Sequence, residues 1–175
     1  MNIEVWFEDE MRAGLKGTIV KTWGEKGLRP VVPQQQDFDW AYTFGAVCPS
    51  RGKTAAIVVP YANTDTMNVQ LREISRGIRK KTHGIVVLDK AGWHTTKKLK
   101  IPDNLTLLLL PSYSPQLNPA EHLWEWMRRH HLSNRTYKGY KDIVDVCCNA
   151  WCDLIADKKR LRSMCWFPWI KAAET

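Results

Sequence analysis

Residues 3–9 alternate. Ile3, Val5, Phe7 and Asp9 fall on one side of an extended chain, and Glu4, Trp6, Glu8 and Glu10 on the other. This predicts a strand whose apolar face ends in an acid. Gly17–Trp23 predicts a second strand, bounded by Gly14 and Gly24. Residues 40–48 and 54–60 are rich in aromatic and β-branched side chains. The Pro49–Lys53 segment between them has the composition of a hairpin loop. A helix capped by Thr64 or Asp65 is predicted to run to about Lys80, with Met67, Leu71, Ile74 and Ile78 as its inner stripe. Gly84–Asp89 is an unbroken apolar run ending in an acid, the pattern of a buried parallel strand. Leu105–Leu110 is similar and is stopped by Pro111. After a loop over 111–119, a helix is predicted with Asn118 as N-cap, Pro119 at the first helical position and Glu121 at the third, ending near His131. A last helix over Lys141–Ala156 turns Ile143, Cys147, Ala150, Trp151 and Leu154 inward. Strands first, then strands alternating with helices, predict an α/β fold: a mixed sheet flanked by helices.

Nine tryptophans in 175 residues argue for a packed protein. The net charge is +8 and unevenly spread: residues 71–100 carry nine Lys/Arg against two acids, whereas residues 1–70 carry seven against eight. A basic segment of this kind fits either a solvated helix face with a basic loop or a polyanionic partner, nucleic acid first. No secretory signal or membrane span is present in the pattern, and five irregularly spaced cysteines do not form a disulfide framework. These features predict a cytoplasmic protein with no membrane association.

Three acids stand out. Asp9 lies on the apolar side of its strand, where a carboxylate is costly unless paired or metal-bound. Asp89 ends the most apolar strand, the position at which open α/β sheets carry functional groups. Glu121 opens a helix entered from a Pro-rich loop. Two-metal phosphoryl transfer needs such a set, because Mg²⁺ prefers a few carboxylate oxygens with water and phosphate. Each acid also has a structural reading. Asp9 fits a strand-end ion pair, Asp89 a cap for the turn at Ala91, and Glu121 the reciprocal partner of Asn118 in a capping box.

The wording around these acids is more specific. Trp6-Phe7-Glu8-Asp9-Glu10, Leu88-Asp89-Lys90-Ala91-Gly92-Trp93-His94 and the run from Pro111 through Tyr113-Ser114-Pro115 and Leu117-Asn118-Pro119 to Glu121 occur in order. With Trp40–Val47 and Pro60–Asn63, they resemble the DDE-type transposases of bacterial insertion sequences, in the Tc/mariner superfamily. The resemblance implies a ribonuclease-H-like fold over residues 1–175. It also implies a catalytic and metal-binding triad of Asp9, Asp89 and Glu121 holding two Mg²⁺ ions, with Mn²⁺ able to substitute. The reaction it implies is hydrolysis at a transposon end, followed by attack of the freed 3′-hydroxyl on target DNA. The expected partners are double-stranded DNA, both transposon ends and target, and a second copy in a homodimer on DNA. The expected location is the cytoplasmic nucleoid. Two features depart from the family pattern. Lys90 follows the second acid directly, and no helix-turn-helix precedes the first strand, so the N-terminal DNA-binding domain is expected to be absent or supplied as a separate segment.

Around this core, His94 and Asn118 are supporting candidates. His94 is suited to orient a phosphate or tune a metal ligand, Asn118 to shape the loop before Glu121. Both also fit purely structural roles. Arg76, Arg79, Lys80, Lys81, Lys97, Lys98 and Lys100 are candidates for DNA-backbone contacts, which give affinity without sequence choice. Trp93 and Tyr113 are candidates for stacking on a base. Glu125 is expected to pair with Arg128 or Arg129. Cys147, Cys148 and Cys152 are expected to be buried structural thiols, since no further ligands at zinc spacing stand out. Two other classes fit the same residues: another ribonuclease-H-like nuclease, and a non-enzymatic DNA-binding or assembly protein derived from a transposase.

Overall fold

The computed structural model describes residues 2–14, 19–32, 35 and 39–173. Among them are five strands: β1 (Asn2–Gly14), β2 (Trp40–Cys48), β3 (Lys53–Val59), β4 (Thr82–Leu88) and β5 (Leu105–Leu109). They form one sheet in the order β3-β2-β1-β4-β5. β1, β2 and β3 are joined antiparallel, while β4 pairs parallel with both β1 and β5. The helices are α1 (Thr64–Gly77), α2 (Ala120–Met127), α3 (Tyr140–Ala156), α4 (Lys158–Cys165) and α5 (Pro168–Ala173). A π-helical turn over Arg128–Leu132 extends α2 to the length its sequence predicts.

β1 is the central strand, and both of its faces are covered. Phe7, Met11 and Ala13 point into a cluster with Leu123, Trp124 and Met127 of α2 and Ile143, Cys147 and Leu154 of α3. Trp6 points the other way, into a cluster with Met67, Leu71 and Ile74 of α1 and with Phe44, Val86 and Leu88 of the sheet. The mixed sheet sandwiched by helices is therefore the ribonuclease-H-like arrangement expected. Because Trp6 is fully buried, its face-mates Glu4 and Glu8 are buried as well. Glu4 is neutralised by Arg51 at 2.7 Å and Arg79 at 3.3 Å.

Several expectations are corrected. Ile19–Trp23 is not a strand: the backbone N–H and C=O of Val20 pair with the Asn134 side chain at 3.1 Å instead of a neighbouring strand. Gly17 and Thr18, the start of that expected strand, lie outside the described residues. Asn63, not Thr64 or Asp65, caps α1, in a reciprocal pair with Thr66, and the helix stops at Gly77. Pro119 precedes α2 rather than opening it, although Asn118 still accepts from the Ala120 N–H at 3.1 Å. Cys148 and Cys152 are exposed. Each lies one residue, about 100° of helix, beyond the buried Cys147 and Trp151, which carries it off the inner stripe. α4 and α5 were not anticipated. They bring Leu161, Cys165 and Ile170 into the core beside α2 and α3. No helix among the described residues is long and apolar enough to cross a membrane.

Candidate active site

The parallel pairing of β1 with β4 runs in a constant register that ends at Phe7 opposite Val87. Two residues further along the same register lie Asp9 and Asp89, so adjacent strands deliver both carboxylates to one end of the sheet. They share the parity of Phe7 and Val87 and hence the face covered by α2. Asn118 pins the start of that helix to β1. Its Nδ2 donates to the Glu8 carbonyl at 2.9 Å, while its Oδ1 accepts from Ala120. Glu121, in the first turn of α2, is thereby held over the strand ends. Asp9, Asp89 and Glu121 line a single cleft of about 410 Å³ together with Lys90, Tyr113 and Asn118.

Asp9 is fixed by α2 itself. Trp124 Nε1, one helical turn beyond Glu121, donates to Asp9 Oδ2 at 2.9 Å. The indole reaches the strand because Gly45, the cross-strand partner of Asp9, has no side chain. A Cβ there would lie 2.4 Å from the Trp124 ring and 2.9 Å from that of Trp151. Burial first, and the Glu121 charge second, push the Asp9 carboxyl up to about 7, against the lowering effect of the Trp124 hydrogen bond.

Asp89 is half exposed and differently held. Its Oδ1 accepts from the Ala91 N–H at 2.8 Å, the turn-capping contact its sequence position allows, and lies 2.8 Å from His94 Nδ1. His94 is buried, and its ring reaches past the end of β4 toward the opposite face of the sheet. There Nε2 lies 3.5 Å from Glu8 Oε2 and 3.9 Å from Glu10 Oε2. Burial lowers the His94 pKa despite the Asp89 carboxylate beside it. Burial raises the Glu8 carboxyl well above its usual range and lifts Glu10 to about 8, with neighbouring carboxylates adding in the same direction. Glu8 and Glu10 were not singled out in the sequence. Their signal is that they share a strand face with Trp6, which becomes meaningful only once β1 is known to be covered on both sides.

The candidate DNA-contacting cations divide. Lys97, Lys98 and Lys100 lie on the connection leaving Asp89, and its backbone is tied to Asn68 of α1. Arg76, Arg79, Lys80 and Lys81 lie where α1 ends and β4 begins. Eight residues of strand rise separate Lys81 from Asp89, about 26 Å. Arg76 and Arg79 are already engaged by Glu73 and Glu4. Lys90, exposed and on the cleft wall, directly follows Asp89 in sequence. Glu125 pairs with Arg129 at 2.6 Å and plays no part in the cleft. Trp93 packs partly buried against the α1 cluster, while Tyr113 is fully exposed on the cleft wall with a φ of 58°.

Comparisons with known proteins bear on the family and the fold. The chain is 50% identical over 125 residues, 71% of its length and 93% of the relative's, to the uncharacterized protein y4pE/y4sA of Sinorhizobium fredii. The fold is similar to that of Mos1 in its strand transfer complex, with a TM-score of 0.66 and 18% identity over 92% of this chain. It is also similar to the catalytic domain of Mos1 mariner transposase, with a TM-score of 0.59 and 17% identity over 92% of this chain. The chain spans half of the protein in the strand transfer complex and 74% of that catalytic domain. The family described as DDE superfamily endonuclease matches residues 4–144, from β1, which carries Asp9, past the helix that carries Glu121 and into α3. By that match and by its fold, the chain belongs to the DDE superfamily endonucleases.

Proposed function

We propose that residues 1–175 act as a transposase catalytic domain that cleaves DNA strands and joins the freed 3′-hydroxyl to target DNA, with Asp9, Asp89 and Glu121 holding two Mg²⁺ ions. The observation that carries this reading is the arrangement of three carboxylates, remote in sequence, around one open cleft. The donor set fits the ions: hard oxygen ligands face a water-accessible cleft, and burial, with the Glu121 charge second, lifts Asp9 to about 7, so a cation there would stabilise its ionised form. Mos1 paired-end complexes contain Mn or Mg, which supports use of either metal by this fold. Bound there, the ions supply Lewis-acid polarisation of the scissile phosphate and acidify the attacking water or hydroxyl.

The chain's own part is positioning and charge. Trp124 fixes the orientation of Asp9, Asn118 fixes the entry of Glu121, and His94 fixes Asp89. Lys90 is placed to meet a phosphate of the bound strand, with Lys97, Lys98 and Lys100 extending that contact away from the cleft. Arg76, Arg79, Lys80 and Lys81 are too distant to hold the same phosphates, and any DNA they meet lies well outside the cut site. Tyr113 presents an aromatic ring at the cleft wall for stacking on a base. Transposon ends and target DNA are the substrates this reading requires. A homodimer and a separate N-terminal DNA-binding segment are its expected partners.

The test is nicking of supercoiled plasmid in Mg²⁺ or Mn²⁺, with strand transfer assayed from pre-cleaved ends. Metal-dependent nicking that disappears in Asp89→Asn is expected. An Asp89→Asn protein that cuts as fast as the parent contradicts the assignment. Nicking without strand transfer would instead indicate a ribonuclease-H-like nuclease of another kind. Salt-sensitive DNA binding with no cleavage would indicate an assembly protein.

A further inference from the structure

Behind the cleft, on the other face of β1, lies a second set of acceptors. Glu8 is wholly buried, and neither carboxylate oxygen has a hydrogen-bond partner. His94 is almost wholly buried, and its Nε2 is likewise unpartnered, as is Glu10 Oε2. One ligand atom from each of the three residues lies within 4.8 Å of the others.

The tautomer of His94 follows from its other contact. A carboxylate oxygen 2.8 Å from Nδ1 accepts, so a neutral ring carries its proton on Nδ1 and turns the Nε2 lone pair to the two glutamates. Three electron-pair donors thus converge in a largely buried pocket, and Glu8 Oε1 and Oε2, Glu10 Oε2 and His94 Nε2 have no hydrogen-bond partner among the described residues. A proton shared between His94 and Glu8 does not suit the spacing, because 3.5 Å exceeds an O–H···N hydrogen bond. A cation suits it better. Ligands held about 2.0–2.2 Å from one tetrahedral ion lie roughly 3.3–3.6 Å apart; Nε2 stands 3.5 Å from Glu8 Oε2, inside that range, and 3.9 Å from Glu10 Oε2, just beyond it. A histidine whose far N–H is held by a carboxylate while its other nitrogen faces outward is also the usual posture of a metal ligand.

We propose that Glu8, Glu10 and His94 form a second, buried cation site, distinct from the cleft of Asp9, Asp89 and Glu121, that takes a divalent transition metal of the zinc class. The imidazole nitrogen and the enclosure argue for such an ion over Mg²⁺, which prefers an all-oxygen shell and keeps its water. The bound ion would lock His94, and through Nδ1 the orientation of Asp89, so one metal would sit behind the residue that holds another. Binding here does not depend on the transposase reading, because it requires neither DNA nor the cleft triad.

The experiment is Zn²⁺ binding by the full chain in excess Mg²⁺, measured by equilibrium dialysis, with zinc-edge X-ray absorption on the loaded protein. The expected result is one Zn²⁺ per chain with oxygen and imidazole-nitrogen neighbours at about 2.0 Å. It should be retained in Glu121→Gln and weakened at least tenfold in Glu8→Gln/Glu10→Gln. His94→Gln is a second variant that leaves the buried carboxyls in place, and it should show the same loss. Zn²⁺ should raise the melting temperature of the parent and not of either variant. No binding, undiminished binding in both variants, loss of binding in Glu121→Gln, or a sulfur shell at about 2.3 Å from Cys148 and Cys152 would each overturn the proposal.

Discussion

Trp124 Nε1 donates a hydrogen bond to Asp9 Oδ2 at 2.9 Å, so the helix that carries Glu121 also grips the first carboxylate. The bond favours the ionised form of Asp9, which burial and Glu121 oppose. Trp124→Phe keeps most of the buried ring and removes the donor. Loss of a hydrogen bond to a charged group, about 1.5–3 kcal/mol, corresponds to roughly one to two pH units. The variant should therefore nick DNA about tenfold more slowly near neutral pH and recover as pH rises. A pH–rate profile whose acidic limb does not move would remove Trp124 from this role.

Gly45 is the backbone counterpart of the same contact. Gly45→Ala places a methyl group into the rings of Trp124 and Trp151, so α2 must shift or the indole must rotate away from Asp9. Overpacking of this kind costs about 1–3 kcal/mol. The expected outcome is a lowered melting temperature together with weaker Mg²⁺ binding. A variant with parental stability and parental metal affinity would show that the close approach is unimportant.

Stability should depend on pH in a direction set by the raised carboxyls. Asp9 moves from 3.8 to about 7 and Glu10 from 4.5 to about 8, so between about pH 4 and 8 the folded chain holds protons that the unfolded chain has released. The metal-free protein is then most stable at the acidic end of that window and loses stability as pH rises through it. Divalent cations replace the lost protons, so Mg²⁺ should raise the melting temperature at about pH 8 more than at about pH 5. Thermal melts across this range decide the matter. A metal-free melting temperature that climbs between about pH 5 and about pH 8 would have the opposite sign and refute the linkage.

Lys90 and the pair Lys80–Lys81 should separate in their effects. If Lys90 meets a phosphate at the cut site, Lys90→Ala should slow cleavage and reduce the salt dependence of DNA binding by about one unit of slope. Lys80→Ala/Lys81→Ala, at the opposite end of β4, should leave the cleavage rate of bound DNA unchanged. Single-turnover rates at several salt concentrations distinguish the two, and equal losses in both would erase the distinction.

Much of this architecture was legible in the residues. Period-two alternation marked β1 and apolar runs marked β4 and β5, although β5 buries only Leu105 fully and leaves Leu108 and Leu109 exposed. The three acids stood out because each interrupts an apolar pattern or opens a helix. What escaped was whatever depends on pairing between distant segments. The burial of Glu8 follows from β1 being central, which no local pattern shows. The contact of Trp124 with Asp9 requires Gly45 on a third segment. Ile19–Trp23 has strand-like composition, yet Val20 within it pairs its backbone with the side chain of Asn134, 114 residues away. The exposure of Cys148 and Cys152 was available from helical phase alone, since the inner stripe of α3 excludes both.

The most direct test is the anomalous density of Mn²⁺ soaked into crystals of this chain. Density is predicted in the cleft within about 2.0–2.4 Å of carboxylate oxygens from all three of Asp9, Asp89 and Glu121. Absence of an ion there under saturating Mn²⁺, or an ion held by one of these acids while the other two turn away, would contradict the shared metal site.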